Sequence, residues 1–594
     1  MCGFINVFLK AEDNSLITAI KERGNALIKH RGPDYQGFFH DSRVFMSFHR
    51  LSIMDPTPAG HQPLTSSCGR YVMTFNGEIY NFRDLMHSYN LRNLKSHCDS
   101  EVLLELYAQL GGRVIDVIRG MYGFVIYDKK KHTFFGARDP FGIKPLYYTH
   151  TKEGLIFSSE IKPLLSLLKT CDVNEEAVIR FLQSGNMDDL PKTFYKKIHQ
   201  LSPGYVIEGQ AEYFQLKKGC SLQIDPIDEN NQDEYSRDYH QLLLEKIDQY
   251  LYSDVPVGIS LSGGFDSSLL AYLINAKARG QRLHMFCRGY ENYEGNELEA
   301  ARQIGEKFGF RYHEAILSPK EVPHLLLSCS KIQEHPVTSI SILAFHKLYK
   351  IAKREGLKVL LEGHGGDEVW AGYAYYQNAL TEEKKDNRFF SQDGSHFLIN
   401  RDILRFTDVT QTINLNETIV KDPPHLSWLT QMQLKDMFGG KMQRSLRYID
   451  RASMNESIEV RLPFLDLDIA EAALRIPDRW KIHDGNHRYF MRRLATEPLG
   501  KEVAFRTKVP IQDPQRLWLQ THLTDYVRDT LHSENLFIHE YVDVKKLSHH
   551  FENFIQSPKK YPNLTFIIFP LCLEAWYQSM KEYLNEKTVK SNLP

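Results

Sequence analysis

The chain has 594 residues and a mass of 69.1 kDa, and at roughly 100–200 residues per domain this length allows about three to six domains. Its 73 Lys plus Arg balance 74 Asp plus Glu, so the net charge is -1 and the pI about 7.1. This balance and the 42% hydrophobic content exclude a nucleic-acid binder by bulk charge and an intrinsically disordered chain. No apolar stretch approaches the ~18–20 residues that span a bilayer. Eight cysteines without a C-x-x-C pair argue against a disulfide scaffold or a zinc site, and they predict a reduced, cytoplasmic setting.

The first residues predict a β-strand rather than a targeting signal. Apolar, aromatic and β-branched residues run from Phe4 to Leu9, and charges follow at Lys10, Glu12 and Asp13. A secretory signal would place a basic stretch before an apolar run of about 7–15 residues. The composition is instead typical of a strand.

The second residue, Cys2, is a candidate nucleophile because of its position. If Met1 is removed, Cys2 carries both a thiol and a free α-amine, whose reference pKa of about 7.7–8.0 suits a general base. Taken alone, Cys2 is also consistent with a buried cysteine of an edge strand. The motifs that follow favour the nucleophile.

Five short motifs in the first part of the chain carry polar groups suited to glutamine. The pair Asn76-Gly77 lies between apolar runs, a pattern that predicts a hairpin turn with an exposed Gly77 N–H. The Asn76 side chain and that N–H can stabilise an oxyanion, while Arg50 can hold a carboxylate and Asp99 an ammonium. Separately, a plain hairpin or a surface ion pair explains these features. The motifs are residues 30–34 (HRGPD), 49–53 (HRLSI), 75–81 (FNGEIYN), 99–101 (DSE) and 138–145 (RDPFGIKP).

Together with Met-Cys-Gly at the start, these motifs make residues 1–165 resemble the glutaminase domain of class II glutamine amidotransferases. The resemblance implies a four-layer α/β/β/α sandwich of antiparallel sheets, the fold of Ntn hydrolases. It also implies that Cys2 is the nucleophile. Catalytic or glutamine-binding roles follow for Arg50, Asn76, Gly77, Glu78 and Asp99.

A polar stretch without periodicity, residues 215–238, predicts the connection between two domains. The first domain is then residues 1–214, and the second is residues 239–594.

The second domain opens with a strand, a glycine-rich turn and a helix. Val255, Val257, Ile259 and Leu261 alternate as in a strand, and apolar residues from Leu269 onward recur at helical spacing. The turn between them, residues 262–268 (SGGFDSS), offers backbone N–H groups and a helix N-terminus to phosphate. Its spacing differs from both the Walker and the dinucleotide loops. An ordinary glycine turn with an Asp N-cap is the alternative.

Further elements predict a parallel, doubly wound sheet with ATP at the carboxyl ends of its strands. Residues 282–290 predict a strand, residues 298–308 an amphipathic helix, and residues 359–368 a buried strand that runs into an acidic turn. Carboxylates beside a polyphosphate usually hold Mg²⁺. Asp266 and Asp367 are therefore the expected metal ligands.

Residues from about 240 to 580 resemble the synthetase domain of glutamine-hydrolysing asparagine synthetases, which is an ATP-pyrophosphatase domain. The matching pieces are the phosphate loop and residues 365–368 (GGDE), 371–373 (AGY), 450–454 (DRASM), 459–466 (EVRLPFLD) and 505–508 (FRTK). The resemblance implies catalytic roles for Asp450 and Lys508 near the adenylate and the leaving pyrophosphate. It also implies an ATP site formed by Leu261, Ser262, Gly263, Gly264, Asp266, Ser267, Cys287, Gly363 and Asp367.

Three positions depart from the family pattern beside the expected adenylate and acceptor pocket. His364 stands where many relatives carry Glu, and His335 interrupts an acidic pair before Pro336. Near Gly295 the usual acidic residue is displaced, giving Asn296 followed by Glu297. These departures leave the acceptor open while the class of chemistry is unchanged.

The sequence therefore predicts an ATP-dependent, glutamine-hydrolysing amidotransferase with L-aspartate as the first-choice acceptor. Two alternatives stay open. One is the same chemistry on another carboxylate: a sugar acid, a cell-wall diamino acid or a natural-product intermediate. The other is a non-catalytic relative that only binds glutamine or nucleotide. The expected partners are small molecules and Mg²⁺, without nucleic acid or membrane, and a homodimer is an assembly that the resemblance allows.

Overall fold

A computed structural model describes residues 2–168, 171–188, 191–225, 227, 231–278, 283–381, 403–406, 426–506 and 513–584. The first part of the chain forms two six-stranded antiparallel sheets, with strand orders β10-β8-β9-β1-β3-β2 and β12-β11-β7-β6-β5-β4. In chain order the strands are β1 (Gly3–Leu9), β2 (Tyr35–His40), β3 (Val44–Arg50), β4 (Leu64–Thr65), β5 (Tyr71–Ile79), β6 (Gly120–Asp128), β7 (Thr133–Arg138), β8 (Tyr147–His150), β9 (Gly154–Ser158), β10 (His199–Gln200), β11 (Tyr205–Gly209) and β12 (Phe214–Lys218).

Helices pack on the outer faces of these sheets. They are α1 (Asn14–Ala19), α2 (Asn25–Ile28), α3 (Phe82–Ser88), α4 (Asp99–Leu110), α5 (Val114–Val117), α6 (Ile161–Leu167) and α7 (Glu175–Ser184). A π-helical turn, Ile20–Gly24, joins α1 to α2.

The strand β1 shows how the sequence fixes these layers. It is buried on both faces, and successive side chains of a strand point to opposite sides. Phe4 and Phe8 lie in the core between the two sheets, whereas Ile5 and Val7 lie in a second core. That second core includes the helical residues Ile17, Ile28, Ile161 and Leu164. The expected α/β/β/α sandwich is confirmed.

The stretch predicted as a connection, residues 215–238, contains regular structure at both ends. Residues Phe214–Lys218 form β12, which pairs with β11 at the edge of the second sheet. At the other end the helix α8 (Gln232–Leu251) has already begun. The polar composition misled because an edge strand and a surface helix both expose many of their side chains to water.

The second part of the chain contains a five-stranded parallel sheet with the order β15-β14-β13-β16-β17. Its first strand along the chain lies at the centre, which confirms the doubly wound topology. The strands are β13 (Val257–Ser260), β14 (His284–Tyr290), β15 (Arg311–Leu317), β16 (Val359–Glu362) and β17 (Glu459–Arg461), and a small hairpin adds β18 (Ile482–His483) and β19 (Asn486–His487).

Helices pack around this sheet and extend beyond it. After α8 come α9 (Phe265–Lys277), α10 (Leu298–Phe308), α11 (Val322–Gln333), α12 (Ser341–Arg354), α13 (Gly366–Val369), α14 (Asn378–Thr381), α15 (Trp428–Phe438), α16 (Gly440–Asn455), α17 (Leu467–Leu474), α18 (Asp478–Lys481), α19 (Tyr489–Leu499), α20 (Lys501–Ala504), α21 (Gln515–Gln520), α22 (Thr524–Leu531), α23 (Val544–Gln556) and α24 (Thr565–Met580). Among the described residues, no helix combines the length and the apolar character needed to cross a bilayer.

Candidate active site

Cys2 lies directly before the strand β1, which is paired on both sides, so the alternative of an edge-strand cysteine is wrong. Its side chain is buried, and burial raises the pKa of the thiol. The backbone nitrogen of Cys2 donates a hydrogen bond of 3.0 Å to Oδ1 of Asn76. The candidate nucleophile and the candidate oxyanion donor are therefore in direct contact.

Asn76 and Gly77 lie inside the strand β5, so the predicted hairpin turn is wrong. They pair with Gly123 and Tyr122 of β6. A Cβ atom on Gly77 would lie 2.1 Å from the carbonyl oxygen of Met121, so the glycine permits a close strand approach rather than a turn. The Asn76 side chain is fully buried, and its Nδ2 has no hydrogen-bond partner among the described residues. A buried, unpaired donor beside Cys2 is suited to stabilising an oxyanion.

Arg50 ends the strand β3 and is held by the loop that follows it. Its Nη1 donates to the carbonyl oxygen of Thr57 at 2.8 Å, and its Nη2 donates to the carbonyl oxygen of Met54 at 3.0 Å and to that of Asp55. The guanidinium is buried, and these backbone carbonyls fix its orientation. Its contact with the glutamine carboxylate stays a prediction.

Two buried carboxylates, Glu78 and Asp99, lie on either side of the Ile79 amide. Asp99 begins α4 and accepts a hydrogen bond of 2.7 Å from the backbone nitrogen of Ile79. Burial raises the pKa of Asp99 to about 6, and it raises the pKa of Glu78 well above its ordinary range. Keeping both groups ionised at neutral pH therefore requires a nearby cation.

That cation, Arg461, comes from the second part of the chain. It is fully buried in β17, and its Nη2 lies 3.4 Å from Oε1 of Glu78. Its Nε donates to Oε1 of Glu459 at 2.6 Å, and its Nη1 donates to the carbonyl oxygens of Tyr250 and Tyr252 at 2.8 and 2.6 Å. The sequence analysis listed Arg461 only as part of a family motif. Its contact with Glu78 was not predictable, because no local pattern shows which distant residue a side chain meets.

A second buried contact between the two parts of the chain is built on Arg31. Its Nε donates to the carbonyl oxygen of Cys2 at 3.0 Å, and its Nη1 and Nη2 donate to the carboxylate of Asp450 at 2.8 and 2.9 Å. Its Nη1 also donates to Glu160 at 3.0 Å, while Arg451 contacts Asp450 at 3.0 Å. We refer to these four charged residues, Arg31, Glu160, Asp450 and Arg451, as the interdomain cluster.

The turn after β13 has the predicted geometry of strand, glycine-rich loop and helix. The backbone nitrogen of Ser262 donates to Oγ of Ser267 at 3.0 Å, and that of Gly264 donates to Oγ of Ser262 at 3.2 Å. Nη1 of Arg506 donates to the carbonyl oxygen of Gly263 at 3.2 Å. The N-cap of α9 is Gly264 and has no side-chain cap, so the alternative of a turn capped by Asp is wrong.

The expected magnesium ligands, Asp266 and Asp367, share Arg488 as a neighbour. Nη2 of Arg488 lies 3.1 Å from Oδ2 of Asp266 and also contacts Oδ1 of Asp367. Oδ1 of Asp266 is buried and has no hydrogen-bond partner among the described residues. A Cβ atom on Gly366 would lie 2.8 Å from Cγ of Asp266, so the glycine keeps space at this carboxylate. The oxygen donors therefore fit Mg²⁺, which prefers oxygen ligands.

The phosphate loop and both aspartates line a cavity of about 2300 Å³ beyond the carboxyl ends of the sheet strands. Of the predicted ATP-site residues, Leu261, Ser262, Gly263, Gly264, Asp266, Ser267, Gly363 and Asp367 line this cavity. Its wall is rich in cations suited to a polyphosphate. They include Arg288, Lys441, Arg488, Arg492, Arg506 and Lys560.

Two residues predicted at the nucleotide site do not line the cavity. Asp450 is 3% exposed and belongs to the interdomain cluster, because the salt bridges to Arg31 and Arg451 take up its carboxylate. Cys287 is buried inside β14, and its Sγ donates to the carbonyl oxygen of Arg288 at 3.6 Å. A further predicted residue, Lys508, lies outside the described residues.

The departure at His335 also lies away from the cavity lining. Its ring packs edge-on against Phe194 with ring centroids 5.4 Å apart, and burial lowers its pKa to about 3. The adjacent Glu334 accepts hydrogen bonds from the backbone nitrogens of Ile161 and Lys162 at 3.0 and 2.6 Å, which caps the start of α6. The expectation that this pair borders the acceptor pocket is therefore wrong, since both side chains serve packing between the two parts of the chain.

The other two departures do line the cavity. Nδ1 of His364 lies 3.0 Å from Oε2 of Glu362. Glu362 is buried, and the sequence analysis assigned it no role. Nδ2 of Asn296 donates to the carbonyl oxygens of Tyr290 and Tyr293, both at 2.7 Å. Asn296 thus shapes the loop, and the displaced Glu297 lines the cavity beside it.

Comparisons with known proteins agree with this geometry. A family model described as asparagine synthase matches residues 238–578, and one described as a glutamine amidotransferase domain matches residues 1–218. Asparagine synthetase [glutamine-hydrolyzing] 1 of Bacillus subtilis is 28% identical over 605 residues, which cover 93% of each chain. Asparagine synthetase [glutamine-hydrolyzing] 2 of the same organism is 30% identical over 554 residues, covering 86% of this chain and 71% of its own.

Among solved structures, the glutamine phosphoribosylpyrophosphate amidotransferase from Bacillus subtilis aligns with 53% of this chain and 66% of its own, at 14% identity and a TM-score of 0.29. The NMN synthetase from Francisella tularensis aligns with 24% of this chain and 58% of its own, at 19% identity and a TM-score of 0.17. The match of the asparagine synthase model to more than half of the residues establishes the family. This chain belongs to the asparagine synthase family of glutamine-dependent amide ligases.

Proposed function

We propose that this protein converts L-aspartate to L-asparagine, with ATP as the second substrate and glutamine as the nitrogen donor. The observation that carries the proposal is the contact between Cys2 and Asn76, which leaves the buried Nδ2 of Asn76 as a free donor beside the nucleophile. Membership of the asparagine synthase family supports ATP as the second substrate.

In the first half-reaction, Cys2 attacks the side-chain amide of glutamine. After removal of Met1, the α-amine of Cys2 takes the thiol proton, and the sulfur forms a bond to the amide carbon. Asn76 Nδ2 and the Gly77 N–H stabilise the oxyanion. The carbon–nitrogen bond then breaks, ammonia leaves with that proton, and water hydrolyses the thioester to glutamate and free thiol.

In the second half-reaction, the phosphate loop holds ATP while the acceptor carboxylate attacks the α-phosphorus. Pyrophosphate leaves against the cations of the cavity wall, of which Arg488 and Arg506 contact residues of the loop. Asp266 and Asp367 would hold Mg²⁺, which neutralises charge on a polyphosphate when bound. Ammonia attacks the acyl carbon of the resulting acyl-adenylate and loses a proton, the bond from that carbon to the phosphate oxygen breaks, and AMP leaves.

The test is Cys2→Ala with two nitrogen donors. Without the thiolate, glutamine-dependent amide formation should fall by at least about 10⁴-fold, while ammonium-dependent formation with ATP should persist. Pyrophosphate release and amide product are measured in parallel. If the variant still used glutamine and did no better with ammonium, the nucleophile assignment would be wrong.

A second candidate is the same chemistry on a larger carboxylate. The observation that favours it is the departure of His364 and Asn296 from the family pattern in the lining of the cavity. Pyrophosphate release over a panel of acids decides between the two. Turnover with another acid, without turnover on aspartate, would replace the first candidate with the second.

The domain arrangement is part of the proposal. We infer a glutaminase unit, residues 1–214, and a synthetase unit, residues 239–594, joined by residues 215–238. The family models support a break in this stretch, since the first ends at residue 218 and the second begins at residue 238. A cytoplasmic setting and a homodimer stay predictions.

A further inference from the structure

A cluster of metal-ligating side chains lies at the sheet edge opposite the nucleotide cavity. His284 is the first residue of β14, His313 lies near the start of β15, and Glu355 directly follows α12. Because all strands of this sheet are parallel, their amino ends meet at one edge and their carboxyl ends at the other. The three side chains are therefore remote from the phosphate loop, and none of them lines the cavity.

The three side chains converge at the spacing of a metal site. Nδ1 of His284 and Nε2 of His313 form a hydrogen bond of 3.2 Å, and this separation is close to the roughly 3.4 Å between two nitrogen ligands of tetrahedral zinc. One ligand atom from each of His284, His313 and Glu355 lies within 4.8 Å of the others, the one such group of three among the described residues. All three side chains are partly exposed, so an ion can reach them.

We propose that His284, His313 and Glu355 form a zinc site with two nitrogen ligands and one oxygen ligand, completed by water. Two histidines and a carboxylate are a ligand set that Zn²⁺ takes in proteins. The low cysteine count bears only on sites built from thiolates. The ion would link β14, β15 and the end of α12, which already pack together, and it would act on stability rather than on the chemistry.

The surrounding charges permit this assignment. Arg311 is the nearest cation, with Nη2 3.6 Å from Oε2 of Glu355, but its side chain is 58% exposed. Oε1, the other oxygen of Glu355, lies 3.9 Å from Nδ1 of His313, which is the ring nitrogen that does not contact His284. An ion would take only one of these two nitrogens, and one ligand atom from each residue lies within 4.8 Å of the others. The two carboxylate oxygens thus serve different neighbours, and the arginine does not separate Glu355 from the histidines.

The experiment titrates the purified full-length chain with Zn²⁺ by calorimetry, and with Co²⁺ by visible absorption. Saturating Mg²⁺ is present throughout, so that the aspartates of the nucleotide cavity do not contribute. We expect one saturable site whose Co²⁺ spectrum shows nitrogen and oxygen ligands without thiolate bands. His284→Asn and His313→Asn should each weaken binding at least about tenfold, and Glu355→Gln should weaken it less.

The matched control is the double variant His324→Asn, His522→Asn, which removes two exposed histidines elsewhere. It should bind Zn²⁺ like the unchanged chain. Circular dichroism of each variant shows whether it is folded, and the Co²⁺ spectrum of the unchanged chain tests the ligand set without any variant. Absence of saturable binding, thiolate bands, or equal weakening by the control would overturn the proposal.

Discussion

The proposed glutamine site and the nucleotide cavity differ in how their charged groups are held. In the glutamine site, Arg50, Glu78, Asp99 and Arg461 are all buried, and protein groups already hold them. The nucleotide cavity is large, its charges lie along its wall, and Oδ1 of Asp266 is left without a partner among the described residues.

The two sites differ in the step at which their charged groups lose water: on folding or on substrate binding. Buried charges at the glutamine site are desolvated when the chain folds, so the substrate meets groups that are already oriented. In the cavity, substrate and ion complete the site and bring the compensating charge with them. Substitutions in the first site should therefore act on glutamine use alone, and those in the second on every reaction that needs ATP.

Asn76→Ala tests the first half of this comparison with the largest effect. Loss of one oxyanion donor should lower kcat with glutamine about 10²–10³-fold. Synthesis from ammonium should be unchanged, because Asn76 bonds to Cys2 and does not line the nucleotide cavity. Parallel assays with glutamine and with ammonium measure the ratio of the two rates in the variant and in the unchanged chain. An equal loss with ammonium would show that the strand β5 had been disturbed instead.

Arg461→Lys tests whether the synthetase unit completes the glutamine site. Lysine keeps the charge but cannot hold Glu459 and two carbonyl oxygens while approaching Glu78. We expect KM for glutamine to rise about tenfold, with KM for ATP and the ammonium-dependent rate unchanged. A change confined to the melting temperature would mean that Arg461 only supports packing.

Arg488→Gln tests the second half of the comparison. Removing the cation between Asp266 and Asp367 should raise KM for ATP roughly tenfold, equally with glutamine and with ammonium. The exposed substitution Arg475→Gln changes net charge by the same amount and should have no effect. Tighter binding of Mg²⁺ and ATP in Arg488→Gln would instead show that Arg488 competes with the metal.

The pH dependence of glutamine binding gives the smallest effect. Burial raises the pKa of Asp99 from 3.8 to about 6, so protonation removes a charge suited to the substrate ammonium as pH falls through about 6. KM for glutamine should rise a few-fold there, and Asp99→Asn should flatten the profile. The folded chain also holds this proton more tightly than the unfolded chain, so the group lowers stability above that pH and the cost is relieved below it. A flat profile in the unchanged chain contradicts this assignment.

Much of the fold was predictable because its signals are local. The alternation before Leu261, the glycine-rich turn and the helical spacing after it lie within one stretch of sequence, and the structure reproduces them. The hairpin turn predicted at Asn76-Gly77 was wrong, because the turn preference of an Asn-Gly pair is weaker than the pairing of β5 with β6. Local propensity is a weak guide where tertiary packing decides.

Long-range partners were not predictable from one sequence. Arg488 belongs to none of the sequence motifs, and its contact with Asp266 and Asp367 follows only from the fold. Asp450 was placed at the adenylate by resemblance, whereas its partner is Arg31 from the other end of the chain. Charge pairing of this kind depends on how domains dock, and a motif read on its own does not contain that information.

The interdomain cluster has a consequence for how separable the two units are. Arg31 is fully buried, yet its carboxylate partner Asp450 belongs to the second unit. A glutaminase fragment ending at residue 218 would keep Arg31 and its partner Glu160, but would lose the Asp450 carboxylate. The two units are therefore not freely exchangeable. In a chimera with a relative, the second unit must supply an acidic group that faces Arg31, because the same guanidinium holds the carbonyl oxygen of Cys2.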